Sequence, residues 1–402
     1  MEEFLIQNKW ILPLIVSLVA LATVWFIHPH ILKIALQKNI VDNPDARKLQ
    51  RTPIPVLGGV ACFLGIVLGL GLFCHFYSRD SELLFILISM TVMLYIGVID
   101  DIADISWKVR FFAQIVCILL LILNLGVSIN HFHTLFGLGE LPIWISWILT
   151  VVLSVGIINS INLIDGVNGL SSGYCIMASV VFGIYFYMLD YIEMYMLAAA
   201  CAGALIPFLL HNVFGSKTRM FIGDGGSLVM GLVMAYFLLN VLYDATPHVV
   251  TLPQHIGLIP FVMSILSIPV FDTLRVMSMR MYRGKSPFYP DKSHLHHIFL
   301  HLGFSHAGTA FSILFMNGLV ILSWFFSYLL DFSINVQFGV VFFFSMLFTF
   351  GFAAFIKSLH DKGRIFEMFK KVGGYLRMEK YPLACKLNAY LDTKFIEMEE
   401  KK

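Results

Sequence analysis

Charge is scarce in this chain. Asp, Glu, Lys and Arg supply only 13% of its 402 residues, while 58% are hydrophobic and the mean hydropathy is +0.83. A soluble domain runs at about 25% charged residues, so a soluble globular class is excluded. An excess of one sign is lacking as well: 27 basic and 25 acidic side chains leave +2, and bulk charge gives no argument for a nucleic-acid partner. The six cysteines contain no CxxC and no zinc-like spacing. Five of them (Cys62, Cys74, Cys117, Cys175, Cys201) lie inside apolar runs and read as packing residues. Neither internal repeats nor low-complexity tracts are visible in the sequence.

What the chain has instead is apolar length. Long apolar stretches fall at roughly 10 to 27, 56 to 77, 83 to 99, 111 to 129, 141 to 158, 170 to 189, 194 to 212, 227 to 243, 256 to 276, 311 to 330 and 336 to 356. Each is long enough to cross about 30 Å of hydrocarbon at about 1.5 Å per residue. The expectation is an all-α, polytopic integral membrane protein of about 11 transmembrane helices. The first stretch follows Glu2 and Glu3 and meets His28, Pro29 and His30 rather than a small-residue cleavage site, so it counts as a span and not a signal peptide. With eleven spans, the loops of one side hold 25 Lys and Arg and those of the other only Lys9 and Arg79. That asymmetry predicts an outside N-terminus and a cytoplasmic C-terminus. Residues 1–356 form a transmembrane domain with chemistry-bearing cytoplasmic loops. Residues 357–402 form a charged cytoplasmic tail, whose periodicity (Ile365, Phe366, Phe369, Val372) predicts a solvated helix resting on the anionic inner leaflet.

Four polar constellations fall on the cytoplasmic side. GVIDDIADIS places Asp100, Asp101 and Asp104 at a helix end, where carboxylates oppose the helix dipole and repel one another unless a cation or basic partner is present. NSINLIDGVNGLSSG spaces Asn159, Asn162, Asp165 and Asn168 by three, and Gly166 and Gly169 then break the helix; interhelical glue is the competing reading. FIGDGGS flanks Asp224 with Gly223, Gly225 and Gly226, after Asn212, Lys217 and Arg219; the turn suits a phosphate and its metal, or is only a loop. RMYRGKSPFYPDKSHLHHIFLHLGF gathers Arg280, Arg283, Lys285 and Lys292 around Pro287 and Pro290, ahead of His294, His296 and His297. Positive-inside bias explains part of the basic charge but not three histidines in four positions, which suit phosphate donation, a zinc site or a solvated loop.

These blocks, in this order, resemble the polyprenyl-phosphate N-acetylhexosamine-1-phosphate transferases, bacterial glycosyltransferase family 4. The likeness is greater to the branch that uses UDP-N-acetylglucosamine in common-antigen, O-antigen and teichoic-acid linkage synthesis than to the peptidoglycan translocase. LGG at Leu57 to Gly59, IDDIADIS, NLIDG, FIGDGGS and SPFYPDKSHLHH carry the resemblance, from about Arg47 to Gly308.

The resemblance implies catalytic roles for Asp100, Asp101 and Asp165, a Mg2+ ligand at Asp224 with Mn2+ as an alternative ion, and donor binding by Asn162, Asn212, Arg280, His294, His296 and His297. It implies transfer of HexNAc-1-phosphate from a UDP-sugar to undecaprenyl phosphate with release of UMP, at the cytoplasmic face of a bacterial inner membrane, by an enzyme that in relatives is often a homodimer. Asn168 stands where several relatives have an aspartate. Asp100 reads equally as a base and as an orienting or metal-linked group, since a phosphate monoester with a second pKa of about 6 is already mostly dianionic. The rival class is a membrane transporter of a phosphorylated or nucleotide-linked substrate, which would place its carboxylates near the bilayer midplane.

Overall fold

The computed structural model describes residues 9–43, 52–72, 82–243, 256–289, 291–359 and 363–400; Arg47, Cys74, Arg79 and Pro290 lie outside them. Regular structure among these residues is helical, apart from an isolated bridge between His131 and Glu140 and one antiparallel pair. The pair joins β1 (Val41–Asp42) to β2 (Ile54–Pro55), with Val41 opposite Pro55. The helices of the first half are α1 (Ile11–Gln37), α2 (Gly58–Gly71), α3 (Glu82–Ala103), α4 (Trp107–Leu125), α5 (Ile143–Leu163), α6 (Leu170–Met188) and α7 (Ile192–Phe214). Those of the second half are α8 (Gly223–Leu242), α9 (Leu258–Ile265), α10 (Ser267–Tyr282), α11 (Leu295–His301), α12 (His306–Leu329), α13 (Ile334–Met346), α14 (Phe352–Ser358), α15 (Arg364–Tyr375) and α16 (Pro382–Glu400).

Among the described residues, nine helices are long and apolar enough to cross a membrane; α13 and α14, joined by a π turn over Leu347–Gly351, count as one of them. The pair α9 and α10, bent by 75°, makes a tenth when taken as a broken span, and α2 is a shorter apolar helix of 14 residues. The chain is thus an all-α polytopic membrane protein. The outward faces show the solvent for which it is built: on α1, Leu12, Val16, Ala20 and Val24 are buried while Leu14, Leu18 and Phe26 are exposed. An apolar side chain left facing outward at that density is stable in lipid, not water.

The first helix does not stop at His28. It continues through Pro29 to Gln37 because the extra turns have something to bury: Ile31, Leu32 and Ala35 are packed inside, and His28 Nε2 lies 3.0 Å from the Thr218 carbonyl. Those contacts outweigh the backbone bond that a proline removes.

α8 is the central pillar. Every residue from Gly223 to Leu242 is buried except Asp224 at its tip, and α2, α3, α5 and α6 pack around it. Close approach is bought with glycine: a Cβ at Gly97 of α3 would overlap the backbone of Asp224 and Gly225. The LGG segment joins the same knot, with the Gly58 and Gly59 N–H groups donating to the Phe221 and Ile222 carbonyls at 3.0 and 2.8 Å.

Candidate active site

The C-terminal ends of α3, α5 and α7 and the N-terminal ends of α6, α8 and α12 meet at one end of the bundle, around a cavity of about 750 Å³. Asp100, Asp101, Asn162, Asp165, Asn212, Asp224, His296 and His297 all line it. Three of the four sequence blocks therefore reach the cavity with most of their polar side chains, and the fourth contributes two of its histidines.

The carboxylate wall is built on helix ends. Gly223, at φ +71°, turns the chain so that Asp224 falls in the first turn of α8. Asp101 reaches across from α3 and accepts from the Asp224 and Gly225 N–H groups at 2.9 and 3.2 Å. It thus caps α8 from a neighbouring helix, where a carboxylate also favours the positive end of the dipole. Asp224 is held on both sides: Asn162 Nδ2 donates to its Oδ1 at 2.6 Å and to Ser227 Oγ at 2.8 Å, while Arg110 Nη1 donates to its Oδ2 at 3.1 Å. The same Arg110 nitrogen donates to Asp100 Oδ2 at 2.5 Å. One cationic nitrogen therefore stands between carboxylates from two helices, which relieves the repulsion expected of the aspartate block. Arg110 sits in the first turn of α4, brought beneath Asp100 by the short turn after α3. The sequence signal for it was a basic residue ten positions after the acidic pair.

Asp165 lies on the turn between α5 and α6. Removal from water, and then the charge of Asp224, raise its pKa to about 7. Asn212 is committed to the scaffold: its Oδ1 accepts from Gly169 N–H at 2.7 Å and its Nδ2 donates to the Met220 carbonyl at 2.9 Å. Asn159 donates to Gln114 Oε1 at 2.8 Å and does not line the cavity.

The opposing wall carries the histidines. His296 and His297 have ring centroids 4.3 Å apart, and His296 packs on Gly166. Burial first, and neighbouring positive charge second, lower their pKa values to about 3 and about 4, so both are neutral near pH 7. Neither Arg280 nor His294 is among the lining residues. Arg280 donates through Nε and Nη2 to Asp291 at 3.2 and 2.8 Å and through Nη1 to the Pro287 carbonyl at 2.7 Å. Burial alone would raise the Asp291 carboxyl, but hydrogen bonds from Arg280 and Ser293 hold it at about 2. His294 Nδ1 lies 2.9 Å from Asp272 Oδ2, Arg275 pairs with Asp272 at 2.6 Å, and the His294 and His296 rings are parallel at 5.8 Å. These two residues brace the histidine wall from behind.

Arg219, Ser305, His306 and Glu379 also line the cavity. Glu379 belongs to the segment expected as a solvated tail. That segment instead packs on the bundle, with Phe366, Leu391 and Phe395 buried. Among the described residues, no group of three or more His, Cys, Asp or Glu is arranged to hold a metal alone.

Residues 83–242 match the family model for glycosyl transferase family 4. The chain is similar to the probable undecaprenyl-phosphate N-acetylglucosaminyl 1-phosphate transferase of Bacillus subtilis (strain 168), 30% identical over 303 residues that cover 75% of this chain and 81% of the relative. It is similar also to the undecaprenyl-phosphate alpha-N-acetylglucosaminyl 1-phosphate transferases of Salmonella typhi, at 28%, and of Escherichia coli (strain K12), at 26%, each over 276 residues covering 68% of this chain and 72% of the relative.

Proposed function

Because the chain belongs to glycosyl transferase family 4, we propose that it transfers HexNAc-1-phosphate, with GlcNAc-1-phosphate first among candidates, from a UDP-sugar to undecaprenyl phosphate, releasing UMP. The product is the first lipid-linked intermediate of a cell-surface polysaccharide. The observation that carries this reading is the pairing of two carboxylates, Asp100 and Asp224, on one cationic nitrogen inside a cavity whose other wall presents neutral histidines.

Two anions have to meet, since the lipid phosphate attacks the β-phosphorus of the donor in line. A Mg2+ ion is commonly held by one or two carboxylates and completes its shell with substrate phosphates. Asp100 and Asp224 are two hard oxygen donors already converging on positive charge, so the donor set fits. Bound there, the ion would neutralise pyrophosphate charge. The remaining work falls to the chain. Asn162 fixes the Asp224 carboxylate through its amide, and Asp101 fixes the helix tip that bears it. His296 and His297, being neutral, each offer one N–H to phosphate oxygens. Asp100 is engaged by Arg110, which favours an orienting role over that of a base; the lipid phosphate needs none near neutral pH. Arg280 and His294 act on the donor indirectly, by holding the loop and the ring stack behind His296.

The same reading includes eleven crossings: the nine spans, the bent pair α9 and α10, and α2. The N-terminus lies outside, and the cavity and C-terminus face the cytoplasm of a bacterial inner membrane, as the basic-residue asymmetry supports. A homodimer is part of the proposal by likeness to the family.

The test is turnover of purified protein with a panel of UDP-HexNAc donors and undecaprenyl phosphate, read by mass spectrometry of the lipid. One pyrophosphate linkage is exchanged for another, so the equilibrium constant should be of order unity, about RT or a few RT from zero free energy. Excess UMP with Mg2+ should return the isolated lipid product to UDP-sugar; failure to do so would refute the chemistry.

A further inference from the structure

One wall of the cavity does not come from the membrane helices alone. Glu379, between α15 and α16, accepts a hydrogen bond through Oε2 from Ser305 Oγ at 3.0 Å, and Ser305 also caps α12 through the Gly308 N–H at 3.2 Å. The tail reaches the same wall a second time through α16. Asp392 Oδ1 accepts from the backbone N–H groups of Ser216, Lys217 and Thr218 at 3.2, 3.0 and 3.4 Å. Asn388 Nδ2 donates to the Phe214 carbonyl and, at 2.9 Å, to Ser216 Oγ. Leu391 and Phe395, 2% and 4% exposed, seat the helix that carries both side chains. The loop clamped in this way delivers Arg219 to the cavity, and the buried Nε of Arg219 has no hydrogen-bond partner among the described residues.

The chemistry of this wall differs from that of the other two. It offers a guanidinium, a carboxylate, a hydroxyl and the His306 imidazole, so donors and acceptors are mixed and the charges of Arg219 and Glu379 offset. A phosphate placed here would gain from Arg219 and be repelled by Glu379. An uncharged group bearing hydroxyls or amides meets both kinds of partner. In a UDP-HexNAc donor, the hexose and the nucleoside carry such groups.

We propose that the C-terminal tail is part of the donor site: through Glu379, and through the loop held by Asp392 and Asn388, it completes with Arg219, Ser305 and His306 a subsite for the uncharged, hydroxyl- and amide-bearing part of the nucleotide-sugar. This rests on the transfer reading above. Glu379 and Arg219 touch the donor, whereas Asp392 is a positioning residue acting through the loop.

The experiment uses the full chain in detergent or nanodiscs, as wild type, Glu379→Gln and Asp392→Asn. Steady-state kinetics with UDP-GlcNAc and undecaprenyl phosphate are paired with calorimetric binding of UDP-GlcNAc and of UMP, and thermal unfolding reports folding. A charged hydrogen-bond partner is lost in Glu379→Gln, so the KM for UDP-GlcNAc should rise about tenfold, with a smaller fall in kcat and an unchanged KM for the lipid. Asp392→Asn should move the same constant in the same direction by less, which keeps the test open if one variant folds poorly. Weaker UDP-GlcNAc binding with unaltered UMP binding assigns the subsite to the hexose, and a parallel loss for UMP assigns it to the nucleoside; either supports the proposal. Unchanged donor constants in both folded variants, or a lipid KM that rises as much as the donor KM, would overturn it. Absence of turnover by the wild type with every donor would instead sink the transfer reading, and the binding data would still report on the subsite.

Discussion

The two sides of the cavity are made in different ways. The carboxylate wall is carried on the ends of α3, α5 and α8, each buried against its neighbours, and its charges are paired before any substrate arrives: Arg110 bridges Asp100 and Asp224, and Asp101 spends both oxygens on the α8 N-terminus. The histidine wall is carried on a short helix, α11, after a loop, and is braced indirectly by Asp272, Arg275 and Asp291. The first wall fixes the position of charge. The second is assembled from remote parts of the chain and is suited to recognising a donor. Substitutions should therefore act on turnover at the first wall and on donor affinity at the second.

The largest effect should come from Asp224→Asn. The change keeps size and one acceptor for Asn162 but removes the charge that would hold a divalent ion, so kcat should fall by about a hundredfold or more while the protein inserts and unfolds normally. Near wild-type turnover across a Mg2+ titration would break the proposed division. Asp101→Asn tests the same wall through its scaffold. An amide accepts with one oxygen only, so one of the two α8 N–H groups loses its partner; stability should drop by about 1–2 kcal/mol, and activity should fall severely because the tip bearing Asp224 is no longer fixed. An activity loss without any fall in thermal stability would argue that Asp101 meets substrate or metal directly.

Arg110→Gln comes next. Without the bridging cation, Asp100 and Asp224 repel each other, and the demand for an external cation should rise. The expected signature is a Mg2+ requirement met at about tenfold lower concentration, because the uncompensated carboxylates attract a divalent ion more strongly once the competing guanidinium is gone, measured as activity against free Mg2+. A simple fall in kcat with an unmoved Mg2+ curve would mean that Arg110 works on substrate phosphate instead.

How much of this was legible in the sequence follows from the range of the interactions involved. The convergence of Asp100, Asn162, Asp165 and Asp224 was readable because each sits at the end of an apolar run, and runs of that length have to end together at a membrane surface. Cavity-facing and bracing histidines could not be told apart, because His294 and His296 differ only in which way a short helix turns. Arg280 looked like a phosphate ligand for the same reason: its partner Asp291 lies eleven residues on, across a turn that composition does not fix. The docked tail was not legible at all. Its burial depends on Asp392 and Asn388 meeting backbone groups more than 170 residues away, and a half-apolar helix next to a membrane has two surfaces on which to lie. The first helix outruns the apolar stretch that marked it, because hydropathy drops at His28 whereas buried contacts carry the helix on through Pro29 to Gln37.

Within the histidine wall the comparison sharpens. His297→Ala removes a cavity-facing N–H and should weaken UDP-GlcNAc binding directly, by about tenfold, with lipid binding intact. His294→Ala removes the partner of buried Asp272, so its effect should reach donor binding only alongside a loss of thermal stability. If His294→Ala weakened donor binding at full stability, the bracing role would be wrong. Stoichiometric zinc in the wild-type protein, lost on either substitution, would replace both roles with a metal site.

The smallest effect is one of pH, and its sign separates the walls. His296 and His297 are held at about 3 and about 4, below their ordinary 6.5, so between those values the unfolded chain binds the protons first. Their contribution to stability is complete above about pH 6.5 and is lost progressively as pH falls. Asp165 behaves in the opposite sense: raised from 3.8 to about 7, it favours the folded state while protonated, and that contribution fades as pH rises through this range. Between about pH 4 and 6.5 the two slopes oppose, and the melting temperature of the wild type should change gently. Asp165→Asn cancels one slope and leaves the other, so its melting temperature should fall more steeply than the wild type's on acidification from pH 6.5 to 4. His296→Gln should do the reverse and flatten the acid limb. Parallel melting curves for all three proteins across that window would show that neither wall titrates with the opposed slopes assigned to it.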